Sequence, residues 1–180
     1  MTVWLVDCGP LGHVAALAEV AWDWPGDTLH VVREVAHEAL ASGSVPNEQL
    51  LHLRSGEQPW VQVHDLPIPS PAAEMLALHL RPAATSASRN LGEDASIAFC
   101  ATMNQDAIFV AADKSAAFVA LAELGRSRVA SPFDLWEALR DEGRIPAEAF
   151  EKLCGRTARQ LGGVLPGVPW RLRQQPRQGG

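Results

Sequence analysis

Two aspartates, Asp7 and Asp113, each follow an unbroken apolar run, Val3-Trp4-Leu5-Val6 before the first and Ala107 to Ala112 before the second. Runs of this length bounded by turn residues read as strands buried on both faces. Parallel strands of one sheet deliver their carboxyl ends to a common edge, where open α/β sheets bind ligands. Further acids come to that edge from two helical stretches. Glu34 and Glu38 stand four apart, hence on one face, and Glu93-Asp94 fall in the first turn of a helix opening at Leu91. One acid of each pair, Glu38 or Glu34 and Asp94 or Glu93, makes four carboxylates with Asp7 and Asp113. Carboxylates gathered without matching bases repel one another, and such a cluster holds a cation. Oxygen-only donors suit Mg²⁺ or Mn²⁺. Sites of that kind act on phosphates, the ion polarising phosphoryl oxygens and activating water. The histidines, His13, His30, His37, His52, His64 and His79, have no ligand spacing, which argues against zinc.

The elements that must position these acids alternate along the chain. After the first strand the chain is expected to turn on Gly9-Pro10 into a helix running from Pro10 to Val20, since Pro fits a first helical turn. Thr28–Val32 reads as a short strand and Arg33–Ala41 as a helix. Asn47–Arg54 reads as a second, short helix and Trp60–His64 as a strand. An extended Leu66–Pro71 linker leads to a helix ending near Leu80, and a small-residue loop over Pro82–Asn90 carries Arg89. The spacing predicts a helix over Leu91–Thr102, the second apolar strand, a helix over Lys114–Leu124 and a short strand at Arg128–Ala130. Ser131 as N-cap with Pro132 at N1 opens a helix to Asp141, and Pro146 starts another through Cys154. Strand–helix alternation of this kind predicts a mostly parallel sheet covered on both faces.

At 180 residues and 47% hydrophobic the chain is long enough for one domain with a sizeable core, and too apolar for disorder. It has no run near the roughly 20 apolar residues of a membrane helix and no secretory leader pattern, so a cytoplasmic location with no membrane partner is expected. Cys8, Cys100 and Cys154 are an odd count without CxxC spacing, which fits reduced thiols. The net charge of -6 is unevenly spread: residues 156 to 180 hold five arginines and no acid, so residues 1 to 155 carry ten bases against twenty-one acids, a net of -11. A basic tail on an acidic body offers a contact for nucleic acid or for an acidic protein surface. Trp22, Trp24 and Trp60 offer faces for base stacking or for packing.

Read in order, these stretches resemble the PIN-domain family. They are Asp7-Cys8-Gly9-Pro10-Leu11, then Val35-Ala36-His37-Glu38-Ala39-Leu40, then Gly92-Glu93-Asp94-Ala95-Ser96-Ile97-Ala98, then Phe109-Val110-Ala111-Ala112-Asp113-Lys114. Leu135–Leu139 followed by Gly143-Arg144-Ile145 resembles the paired helices that close many bacterial members. The resemblance implies a three-layer α/β/α fold over residues 1–160, followed by a Pro/Gly/Gln-rich basic tail over 161–180. It implies a metal-dependent ribonuclease that hydrolyses RNA phosphodiesters with Mg²⁺ or Mn²⁺. Asp7, Glu38, Asp94 and Asp113 would be its site acids, with Glu34 and Glu93 as alternates and Arg89 and Lys114 as RNA contacts. Bacterial members are often dimeric toxins of toxin–antitoxin pairs, so an antitoxin protein and a second copy of the chain are the partners implied. Many members carry Asn or Ser two residues after the first aspartate and Thr or Ser two residues before the last, where this chain has Gly9 and Ala111. That difference speaks for the alternative, a catalytically inactive PIN-like binding or assembly module. A phosphotransferase using Asp7 as nucleophile would want a second acid at position 9, and Gly9 stands there instead.

Overall fold

Three-residue strand β1 (Trp4–Val6) is fully buried and lies at the centre of a five-stranded sheet, with β2 (Leu29–Val32) on one side and β4 (Ile108–Val110) on the other. The edges are β3 (Gln62–His64) beside β2 and β5 (Val129–Ala130) beside β4, and every pairing is parallel. The computed structural model describes residues 2–17, 29–45, 61–81 and 90–161. The expected helix at Asn47–Arg54, Trp22, Trp24, Trp60, Arg89 and residues 162–180 of the tail lie outside them.

Helices join the strands: α1 (Cys8–Ala15), α2 (Arg33–Ala41), α3 (Pro71–Met75) continued by a π-turn segment (Leu76–Leu80), α4 (Leu91–Thr102), α5 (Lys114–Leu124), α6 (Pro132–Asp141) and α7 (Ala147–Gln160). The protein is therefore an α/β fold on a parallel sheet, compatible with three layers. Leu5, Leu29, Val31, Phe109 and Val110 of these short strands bury completely. Each such large side chain contributes roughly 1.5–3 kcal/mol. Strand order 3-2-1-4-5 places the switch of strand order between β1 and β4, so the ends of those two strands flank the crevice such sheets use for ligands.

Several boundaries differ from those expected of the sequence, among them the end of the first helix, which stops at Ala15 instead of reaching Val20. The chain does not turn on Gly9-Pro10: α1 begins at Cys8, because Asp7 is extended (φ -80°, ψ 172°) and its carboxylate caps the helix at the Cys8 N–H. Strand β4 stops at Val110, and Asp113 stands three residues later as the N-cap of α5. Helix α7 runs past Cys154 to Gln160, six residues further than expected. Gly155 inside it costs about 1 kcal/mol of helix propensity, and the buried Thr157 beyond it gives the extra turns a packed face.

Candidate metal centre

Val6 pairs with Val110, and the Asp7 N–H continues the ladder to the Val110 carbonyl at 3.3 Å. The register thus sets Asp7 beside the segment leading to Asp113. Asp7 is only 6% exposed. Burial, followed by the neighbouring Glu38 and Asp113 charges, pushes its carboxyl up to about 6 against the Cys8 N–H, which lowers it. Asp113 is exposed, and its Oδ1 accepts from the N–H groups of Ser115 at 2.7 Å and Ala116 at 3.2 Å.

Helix α2 contributes Glu38. Its Oε1 accepts from the Gly92 N–H at 3.1 Å, so an acid on one helix satisfies a free donor in the first turn of another. Asn90, in the N-cap position of α4, is left-handed (φ 61°) and makes no side-chain cap, which leaves that task to Glu38. Gly92 makes the approach possible: a Cβ there would lie 2.9 Å from both Glu38 Oε2 and Val35 Cγ2. Gly92→Ala should therefore lower stability by roughly 1–2 kcal/mol despite its better helix propensity, because Val35 is stiff and the core is already close-packed. It should also turn Glu38 away. A urea midpoint and a Mn²⁺ titration read the two effects separately.

Helix α4 presents its two adjacent acids in different directions. Asp94 Oδ2 pairs with Arg81 Nη1 at 2.8 Å, both side chains largely buried. Glu93 lies among the other acids. Burial, then the charges of Asp7, Asp113, Glu38 and Asp94, push its carboxyl up to about 7, and its buried Oε2 has no hydrogen-bond partner among the described residues. The sequence favours Asp94 as the α4 acid; here Arg81 engages Asp94, and Glu93, the alternate, takes the place facing the others. Glu34 stands a turn before Glu38 with a buried Oε2 that has no hydrogen-bond partner among the described residues, and it is Glu38, not Glu34, whose charge bears on Asp7. Lys114 is exposed directly after Asp113.

Three of these acids share one pattern. Asp7, Glu38 and Asp113 each fix one oxygen on a backbone N–H, and their second oxygens accept no hydrogen bond among the described residues. With the open Oε2 of Glu93 this makes four carboxylates whose charges bear on Asp7 or Glu93, the donor chemistry of a hard divalent cation. The side chains are not drawn into a ready coordination shell: no group of three is close enough to hold an ion among the described residues. Sequence reasoning gave no role to Arg81 or Gly92, whose parts depend on contacts between distant segments. No family model, no curated protein and no solved structure matches this chain.

Proposed function

We propose that this chain is a PIN-like, divalent-metal-dependent ribonuclease whose cation is held by Asp7, Glu38, Glu93 and Asp113. The observation that carries the reading is the convergence of buried or tethered carboxylates on Glu93, with an oxygen of each left without a donor. Mg²⁺ or Mn²⁺ bound there would polarise a phosphoryl oxygen and supply activated water. The chain's own residues do the positioning. The Cys8 N–H and the first turn of α5 hold Asp7 and Asp113 by one oxygen each, and Gly92 holds Glu38. Arg81 pairs with Asp94, which offsets part of the negative charge beside the cluster. Lys114 lies where it can meet a backbone phosphate.

Incubation of the protein with single-stranded RNA and Mn²⁺ should give cleavage that EDTA stops and that Asp7→Asn and Glu93→Gln each reduce at least a hundredfold. Asp94→Asn should cost less than either. If the protein binds no Mn²⁺ and Asp7→Asn leaves its behaviour toward RNA unchanged, the chain is a binding or assembly module instead. Copurification with a small protein encoded beside it would place the nuclease in a toxin–antitoxin pair.

A further inference from the structure

Helices α1 and α7 lie against each other in opposite directions, and two contacts fix the pairing. His13 Nδ1 meets the Thr157 hydroxyl at 3.1 Å near the C-terminal end of α1. At its other end a Cβ on Gly9 would lie 2.7 Å from Gln160 Nε2, 3.1 Å from Gln160 Oε1 and 3.2 Å from the Ala112 Cβ. Gly9 and His13 are four apart, and Thr157 and Gln160 three apart, so each pair shares a helix face. The last residue of α7 is thereby carried to the edge where Asp7 and Asp113 stand, two residues from the first and beside the residue preceding the second. The carboxamide occupies the room a side chain at position 9 would need.

We infer that Gln160 is a substrate-positioning residue of this edge, its carboxamide hydrogen-bonding the phosphate backbone of RNA held beside Asp7 and Asp113. The inference rests on the ribonuclease reading given above. The chemistry of the group suits the place. A lysine or arginine there would fall onto the carboxylates and compete with the cation, and an acid would repel both them and the phosphate. A neutral carboxamide offers two N–H donors to a phosphate oxygen and no charge to the cluster. Gln160 is exposed, so its donors are open to a ligand from solvent, and the buried Thr157 contact one turn earlier holds its helix in place.

The test compares Gln160→Ala, Gln160→Glu, Gly9→Ala and the Gly9→Ala/Gln160→Ala pair with the parent protein. Two readouts are used: KM and kcat on a single-stranded RNA oligonucleotide with Mn²⁺, and anisotropy binding of the same oligonucleotide in low-salt EDTA. Gln160→Ala should raise KM and weaken binding about tenfold, the size of a lost hydrogen bond to a charged group. Its kcat and Mn²⁺ affinity should stay within twofold. Gln160→Glu should bind RNA more weakly still, and Gly9→Ala, by displacing the carboxamide, should act like Gln160→Ala and add little to it. Unchanged RNA affinity in both Gln160 variants, with melting temperature altered or not, overturns the inference. The EDTA binding arm decides this even if no cleavage is found, and failure of the nuclease reading shows separately as the absence of Mn²⁺-dependent cleavage by the parent.

Discussion

Asp7→Asn is expected to make the metal-free protein more stable by about 2–3 kcal/mol at pH 8 and to abolish the Mn²⁺-dependent RNA cleavage proposed for it. The two effects have one cause. The folded state holds the Asp7 carboxyl at about 6 against the ordinary 3.8, chiefly through burial. Above pH 6 it is charged both folded and unfolded, and folding then bears the cost of burying the charge among Glu38 and Asp113. Asparagine keeps the shape and keeps an oxygen to accept from the Cys8 N–H, and it caps helices as well as aspartate does, so the charge alone is deleted. The sign with pH follows. Between about 3.8 and 6 the folded state binds the proton that the unfolded chain has lost, so the wild-type protein gains relative stability as pH falls through 6 and loses it as pH rises through 6. The advantage of Asp7→Asn should accordingly be full at pH 8 and nearly gone at pH 4. Saturating Mn²⁺ should raise the melting temperature of the wild-type protein through binding linkage and leave the variant's unmoved. A urea midpoint for Asp7→Asn at pH 8 that falls below wild type would show that Asp7 is not held against its own charge.

The sequence carried the sheet and the acids for identifiable reasons. Val3–Val6 and Ala107–Ala112 are apolar without interruption because both faces of β1 and β4 are covered, and that pattern is local. Ser131-Pro132 announces α6 because capping chemistry is local too, and Ser131 and Asp134 do form the reciprocal cap. Glycine and proline at 9 and 10 speak for a turn, whereas the Asp7 cap and the pull of a buried strand start α1 two residues earlier, at Cys8. The end of α7 was misplaced because Gly155 resembles a stop. What overrides it is Thr157, and its hydrogen-bond partners lie twenty-one and 144 residues away. The choice between Glu93 and Asp94 is of the same kind. Neighbours in sequence point to different sides of a helix, and only the position of Arg81 across the fold tells which acid is neutralised. Gly9 illustrates the limit most clearly. As a sequence position it is a missing side chain, and in the fold the room is filled by Gln160, 151 residues later.

Thr157→Val is expected to cost roughly 3 kcal/mol, a large effect for two nearly isosteric side chains. The Thr157 hydroxyl, fully buried, accepts from Trp136 Nε1 at 2.9 Å and lies 3.1 Å from His13 Nδ1. His13 Nδ1 accepts the hydroxyl's proton or donates to its oxygen according to the imidazole tautomer. Valine would strand both the indole N–H and the imidazole nitrogen in a buried site, and each orphan costs about 1–3 kcal/mol. The same arrangement makes the helix pairing acid-sensitive. Burial, then the charges of Arg156 and Arg159, lower the His13 imidazole to about 4. Between 6.5 and 4 the unfolded chain binds a proton that the folded one refuses, so this group's contribution is intact above pH 6.5 and is lost as pH falls toward 4. In the wild-type protein the gain from protonating Asp7 and Glu93 opposes that loss, which should leave stability comparatively flat between pH 7 and 5. In the Asp7→Asn/Glu93→Gln double variant the two histidines that burial lowers, His13 and His64, remain, and stability should fall steadily from pH 7 to 4, by about 2–3 kcal/mol from His13 alone. Addition of His13→Gln should remove that part of the slope and leave the share of His64. A double variant whose urea midpoint does not move over that range would place the acid sensitivity of the fold somewhere other than the contact that brings Gln160 to the site.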